Sequence, residues 1–473
     1  MTSKARSFRD PAGRLFFIGN DPIRQVFADA AAGCRKLIGG AFFQDLMCSG
    51  QVVKTRSLVS VPGHLSGIAR DGELLLAHEA IPFQSFPAEW PIQMLQAAAL
   101  LTLDIAEQGI GSGIGLKDAT PYNVLFDGPR PVFVDVLSFE ERDPLDPVWL
   151  AQGQFMRTFL LPLLAASKLG VPLSSVFLTR RDGLEPAEIY RMITPLRRIS
   201  AGFLSTVSMP VWLSGKAEAG GQAMYRPRRL QGKEQASFVL KTLIGGLRRK
   251  TARLAGKGSS GPTRWSDYCR TCSYDQDSFQ QKSSFVDQFL QRCKPARVLD
   301  IGCNTGHFSR LAASRGAQVV AIDQDAAVVG TLFEEARARK LDILPLVVDF
   351  ARPTPATGWN NEENPSFLTR ARGRFEAVFM LALIHHLVVT DQIPLAEVLA
   401  VAARVSTRYL VIEYVPPEDP QFQRLVRGRE ALYRHLTREH FEKTAADFFT
   451  IVQSSQVENQ ERWLYVMEKR NVQ

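Results

Sequence analysis

The sequence predicts an α/β protein: a doubly wound parallel sheet in its C-terminal part, preceded by an α+β region. Three observations carry this. Beyond residue 265, short buried-strand signals alternate with helical ones, as in a parallel sheet with crossover helices. The first of those strands runs directly into the glycine-bearing turn Gly302-Cys-Asn-Thr-Gly306. Ahead of residue 240, strand and helix signals lack that regular alternation.

In the N-terminal region, Asp10-Pro-Ala-Gly13 reads as a turn entering a strand at Leu15–Ile18. Trp90 to Glu107 has helical periodicity, with Met94, Leu95, Ala98, Leu101 and Ile105 broadly on one face. Val124–Phe126 and Pro131–Asp135 read as two strands turned at Asp127-Gly128. Trp149 to Leu169 is apolar and mostly helical. The tract Gly256-Lys-Gly-Ser-Ser-Gly-Pro262 is the clearest linker signal. The reading is therefore an N-terminal domain over 1–240, a basic linker over 241–264 and a C-terminal domain over 265–473. In the last, strands are expected at Arg297–Ile301, Ala317–Ile322, Leu344–Val348, Ala377–Leu381 and Tyr409–Glu413, with helices at Phe308–Ser314 and Ala326–Lys340.

Length and composition agree with two or three soluble domains: 473 residues, 45% hydrophobic, 22% charged. No apolar run approaches a membrane span, and Met1–Asp10 lacks the apolar core of a secretory signal. A cytoplasmic protein is expected, with peripheral membrane contact left open. Six scattered cysteines do not form a disulfide framework, and Cys269-Arg-Thr-Cys272 has no further zinc ligands near it in sequence. The net charge of +9 is local: Arg226 to Arg264 holds eleven Lys or Arg and one acid, Glu234, so the rest of the chain is close to neutral. The segment reads first as a solvated linker or helix face, and alternatively as a patch for phosphate-bearing partners, including RNA.

Ligands of a doubly wound sheet sit at the carboxyl ends of its strands. There the first strand ends in Asp300-Ile-Gly302-Cys303-Asn304-Thr-Gly306, whose glycines permit positive φ and close approach of a ligand. A dinucleotide site calls for GxGxxG; Asn304 stands where the second glycine belongs, which argues against a pyrophosphate. Asp323, ending the second strand, suits a ribose with free hydroxyls. Asp349 could accept from an adenine amine, and Phe350 could stack on the ring.

This ordered series, continued by Leu381-Ala-Leu-Ile-His-His386, resembles the successive motifs of class I S-adenosylmethionine (SAM)-dependent methyltransferases, which have a Rossmann-like fold. The resemblance implies that the Gly302–Gly306 loop, with Cys303 and Asn304, cradles the methionine part of the donor. It implies that Asp300 supports that loop and the donor's amino group, Asp323 holds the ribose, Asp349 and Phe350 hold the adenine, and Leu381 lies beside the donor. His385 and His386 follow the fourth strand, where a histidine could act as general base. Glu413, ending the fifth, could orient a histidine or bind substrate.

The N-terminal region holds a second constellation, Leu116-Lys-Asp118-Ala-Thr-Pro-Tyr-Asn123, followed by Asp135. The five-position interval from Asp118 to Asn123 matches a kinase catalytic loop, and this segment resembles the kinase or aminoglycoside-phosphotransferase fold. By that resemblance Asp118 would be the catalytic Asp, Asn123 and Asp135 magnesium ligands, and ATP the phosphoryl donor. The departures are plain. Leu116-Lys117 replaces His-Arg, Asp135-Val-Leu replaces Asp-Phe-Gly, no glycine-rich loop precedes, and only Lys54 is a candidate nucleotide lysine. A turn-forming role for Asp118 and Asn123 is the alternative.

The segments His78–Ile81, Pro87–Trp90, Leu116–Val124, Pro131–Phe139, Trp265–Tyr268, Leu383–Leu387 and Glu413–Pro420 together resemble a bacterial family of two-part, nodulation-protein-like methyltransferases. The expectation is methyl transfer to a hydroxyl or phosphate of a glycan or lipid-linked saccharide, with the kinase-like part recognising or phosphorylating it. O-antigen enzymes that join a kinase to a methyltransferase in the opposite order offer an analogy. An RNA or protein methyltransferase docking through the basic segment is a second reading, disfavoured by Leu381–Ile384 where Asn-Pro-Pro-Tyr would mark base-amine methylation. A non-catalytic SAM-binding scaffold is a third.

Overall fold

The structure is a computed structural model describing residues 9–19, 21–58, 70–219, 229–255, 276–458 and 460–470. The Gly256–Pro262 tract, the Trp265–Tyr268 segment and the Cys269/Cys272 pair lie outside the described residues. Two compact units emerge. One comprises Met1–Phe126, Pro131–Ser259 and Gly358–Glu363; the other comprises Asp127–Arg130, Ser260–Thr357 and Asn364–Gln473.

The N-terminal unit opens with strands β1 (Gly13–Ile18), β2 (Asp21–Val26), β3 (Thr55–Ser57) and β4 (Leu74–His78), an antiparallel sheet in the order β1-β2-β4-β3. The helix Ile92–Ser112 follows. It is buried over most of its circumference, consistent with the apolar run Ala97–Leu103, and Gly113, at φ 71, ends it in the left-handed conformation that suits glycine. Short strands β5 (Ile114–Leu116) and β8 (Phe139–Glu141) pair with each other. Between them lies the hairpin of β6 (Val124–Asp127) and β7 (Arg130–Phe133), turned at Gly128, as the Asp-Gly signal predicts.

The linker expectation needs correction over 241–255. Lys233–Ala255 is one helix, packed along Ile92–Ser112. Ala236, Leu240, Ile244 and Leu247 bury its inner face, Gln96 donates to the Thr251 and Ala252 carbonyls (2.9 and 3.1 Å), and Arg248 pairs with Asp104 and Glu107. Part of the basic segment is thus neutralised within its own unit.

In the C-terminal unit, β9 (Arg297–Ile301), β10 (Gln318–Asp323), β11 (Ile343–Val347), β12 (Phe375–Met380) and β13 (Ser406–Tyr414) are mutually parallel. Two strands not expected from the sequence, β14 (Phe449–Gln456) and β15 (Trp463–Lys469), complete a seven-stranded mixed sheet in the order β11-β10-β9-β12-β13-β15-β14, with β15 antiparallel to its neighbours. Runs such as Val319–Ile322 are buried on both faces, as the inner strands of a covered parallel sheet must be. The helix Gln276–Cys293 covers one face with Phe285, Val286, Phe289 and Leu290, and the Phe289 ring meets Tyr409 edge-on at 5.4 Å. The chain runs outward from β9 through β10 to β11, then returns to place β12 on the other side of β9. That reversal opens a crevice at the carboxyl ends of β9 and β12.

Candidate functional site

Gly302–Gly306 lies at one lip of this crevice and Leu381–His386 at the other, because Ile301 and Met380 are register partners. Gly302 (φ +74) and Gly306 (φ +80) both need glycine's freedom. A Cβ on Gly302 would lie 3.3 Å from Leu383, and one on Gly306 would collide with Leu332. Backbone amides of Gly302 and Cys303 donate to the Ile322 carbonyl (2.8 and 3.0 Å), tying the loop to the end of β10. Asn304 is left-handed at φ 48, and its side-chain Oδ1 is buried without a partner.

Asp300 is buried and accepts from the Ser309 hydroxyl at 2.6 Å; burial pushes its carboxyl up to about 6. Asp323, at the end of β10, accepts from the Asn304 amide (3.0 Å) and the Asp325 amide (2.9 Å), and burial raises its carboxyl above the usual range. The Cys303 thiol is pushed well up by burial, then by Asp323 and Asp300, so it stays protonated. Asp349 accepts from the Ala351 amide (2.9 Å) and pairs with Arg352 (2.7 Å), next to half-buried Phe350. Leu381 is buried. The next residue, Ala382, takes φ 54, unusual without glycine, and the turn brings Leu383 over Gly302. The sequence series Asp300, Gly302, Cys303, Asn304, Gly306, Asp323, Asp349, Phe350 and Leu381 therefore falls at the ends of four adjacent strands. An orphaned acceptor, two glycines at positive φ and two strand-end carboxylates fit the methyl donor that the motifs imply.

His385 is 1% exposed, and neither ring nitrogen has a hydrogen-bond partner. Its ring lies 4.3 Å from that of half-buried His386, at the start of a π-helical turn, His386–Thr390. Ile384, Tyr414, Val415, Phe422, Leu436 and Phe441 line an apolar pocket beside it. Burial holds the imidazole well below its usual range, reinforced by His386, Arg462 and Lys282. His385 is thus neutral, with an unoccupied proton acceptor.

Glu413 is fully buried and bound by Lys282 from the helix Gln276–Cys293 and by Arg462 at 3.4 Å. Arg462 also grips Asp419 through two bonds of 2.7 and 3.0 Å, and Asp419 in turn caps the helix Pro420–Val426. Sequence reasoning missed Lys282, Asp419 and Arg462; Lys282 sits in an amphipathic helix where a lysine ordinarily faces water, and no local spacing links it to Glu413.

In the N-terminal unit, Asn123 and Asp135 are linked through protein partners. Asn123 donates to Ser138 (2.9 Å), whose hydroxyl donates to Asp135 (2.7 Å); Asp135 forms a 2.9 Å ion pair with Arg24, which is 5% exposed. A guanidinium thus supplies the positive charge beside Asp135. Among the described residues no group of three or more His, Cys, Asp or Glu is placed to hold a metal ion. Asp118 is half-buried with its carboxyl raised by burial, against the lowering effect of Lys117. Lys54 is exposed and pairs with Glu79 at 3.2 Å.

Comparison with known proteins decides the family. Residues 274–453 match the model of a methyltransferase domain. The whole chain is 30% identical to the nodulation protein NoeA of Rhizobium meliloti (strain 1021), over 98% of this chain and 96% of that one. The chain belongs to the NoeA family. Among solved structures it is similar to the N-methyltransferase NodS from Bradyrhizobium japonicum WM9 (14% identity, 42% of this chain and 99% of that chain, TM-score 0.31). It is also similar to the magnesium protoporphyrin IX methyltransferase of Synechocystis PCC 6803 with bound SAH (18% identity, 48% of this chain and 94% of that chain, TM-score 0.31). This NoeA-family chain is a SAM-dependent methyltransferase, and its methyltransferase domain contains the crevice described above. No helix among its described residues is long and apolar enough to cross a membrane.

Proposed function

We propose that this chain methylates an alcoholic hydroxyl of a saccharide, free or lipid-linked, with His385 as general base. The observation that carries the reading is the His385 imidazole: buried, neutral and unpartnered at the lip of the donor crevice. A neutral hydroxyl must lose its proton as it is alkylated, whereas a phosphate oxygen needs no base. That favours hydroxyl over phosphate among the expected acceptors.

The donor, when bound, supplies an electrophilic methyl on a sulfonium that departs as a neutral thioether. The chain's own residues do the rest. The Gly302–Gly306 loop, with Cys303 and Asn304, holds the methionine part, and Asn304 Oδ1 gains the partner it lacks. Asp300 braces the loop and faces the amino group; Asp323 takes the ribose hydroxyls; Asp349, Phe350 and Leu381 bound the adenine. As the new C–O bond forms and the C–S bond breaks, His385 accepts the hydroxyl proton. The apolar pocket excludes water, so positioning rather than strong charge lowers the barrier. His386, half-exposed, orients the acceptor.

The N-terminal unit serves in this reading as a kinase-like, non-catalytic recognition domain, with Asp118, Asn123 and Asp135 fixing its loops instead of ATP and magnesium. RNA methylation is the weaker alternative, since Leu381–Ile384 stands where Asn-Pro-Pro-Tyr would mark base-amine methylation.

Methyl-labelled donor incubated with fractionated extract of a strain lacking the protein tests the reading. Base-stable label in polysaccharide or lipid-linked saccharide is expected, as for an ether. Label in RNA or protein, or label released by mild base, contradicts it.

A further inference from the structure

A second surface, in the N-terminal unit, stands independently of the methyl-transfer reading. Between Ile189 and Gly215 the chain exposes Met192, Leu196, Ile199, Met209, Trp212 and Leu213, from 45% at Met209 to 80% at Leu196. Single exposed apolar residues are ordinary; six within one short stretch mark an interaction surface. The same stretch carries Arg191, Arg197 and Arg198 and no acid. We propose that it docks on an anionic lipid bilayer, lying in the plane of the interface.

The stretch is braced as one piece. Trp212 donates its indole N–H to Tyr190 (3.1 Å), the Arg198 guanidinium lies 4.0 Å from the Tyr190 ring centroid, and the Ser208 hydroxyl donates to the Arg198 carbonyl (2.7 Å). Met209, Trp212 and Leu213 stand at i, i+3 and i+4 of the helix Met209–Ala219, on one face. With its N–H already satisfied, the Trp212 ring enters the acyl boundary without stranding a donor, as interfacial tryptophans do.

Charge chooses the occupant. Exposed Arg191 and Arg197 complement lipid phosphates, while a second copy of this face in a two-fold dimer would bring the same arginines against these. A basic surface with this many exposed apolar side chains suits reversible docking in the headgroup region.

Co-sedimentation of the full chain with vesicles tests this. The wild type is expected to pellet with phosphatidylcholine vesicles containing phosphatidylglycerol, to remain in solution with phosphatidylcholine alone, and to be released by high salt. Leu196→Ser/Ile199→Ser/Trp212→Ser and Arg191→Gln/Arg197→Gln should each lower the partition coefficient about tenfold or more. Unchanged thermal midpoints and donor affinity would show that both variants fold. Failure of the wild type to pellet with anionic vesicles overturns the proposal, as does equal pelleting of the apolar variant. A dimer that the apolar variant dissolves, or an acidic protein that the surface captures in place of vesicles, also overturns it.

Discussion

The Lys282 ammonium and the Glu413 carboxylate form an ion pair from which water is excluded, their side chains 5% and 0% exposed. The pair joins the helix ahead of the donor loop to the strand end beside His385. Breaking a buried pair strands the remaining charge, which costs about 3–5 kcal/mol. Lys282→Met should fall at the lower end of that range, because Arg462 still reaches Glu413. Lys282→Met/Glu413→Leu should lose less than the sum of the two single variants. Urea unfolding of the four proteins measures this; an unchanged midpoint for Lys282→Met would refute the pair's structural importance.

Gly306 offers a sharper geometric test. An alanine there must hold φ near +80 and displace Leu332. A loss of about 2–4 kcal/mol and of donor binding is expected. Gly316, also at positive φ (+89) but with open space around its Cβ position, is the control, and its alanine variant should cost only about 1 kcal/mol. Equal losses at the two sites would mean that Leu332 does not press on the loop.

The two strand-end acids should separate by pH. Asp300, at about 6 in the folded chain against about 4 unfolded, is protonated more readily when folded. Its contribution is complete below about pH 4 and disappears as pH rises through about 6, a change of about 3 kcal/mol. Asp300→Asn should flatten that part of the stability profile. Asp323→Asn should weaken donor binding by about tenfold or more, read by calorimetry, since a charged acceptor for the ribose is lost. A wild-type donor affinity in Asp323→Asn would remove that residue from the site.

Much of the C-terminal fold was legible because its strands are short apolar runs buried on both faces, and each ends in a residue of distinct chemistry. Asp300, Gly302, Gly306 and Asp323 could be placed by order alone. The edge strand β14 and its neighbour β15 were not, because Phe449–Gln456 is largely exposed and β15 joins the sheet through a long-range pairing with β13. Nor were the partners of Glu413, which lie 131 and 49 residues away in sequence. In the N-terminal unit the Asp118–Asn123 spacing marked a real polar cluster, yet spacing could not show that Arg24, on β2, would reach Asp135. The helical character of 241–255 was hidden by its charge, which reads as solvent exposure until Asp104 and Glu107 come opposite it.

That arginine is itself held by a neutral histidine. Arg24 Nε donates to His78 Nε2 (3.4 Å), so the His78 proton resides on Nδ1, facing Thr55 Oγ1 at 2.8 Å. Burial and Arg24 depress His78 to about 3. Its stabilising contribution is present above the unfolded value of about 6.5 and is lost as pH falls toward about 3, about 2 kcal/mol by pH 5. His78→Gln should reduce this acid sensitivity in pH-dependent urea unfolding, and an unaltered slope would refute the assignment. With Arg24 beside Asp135, magnesium-ATP should give no binding heat.

The account turns on His385. At saturating donor and acceptor, His385→Ala should lower kcat by about a hundredfold or more while donor affinity stays at the wild-type value. His386→Ala should act mainly on the acceptor KM. Transfer of labelled methyl by His385→Ala at the wild-type kcat would contradict the general-base role and, with it, the central claim.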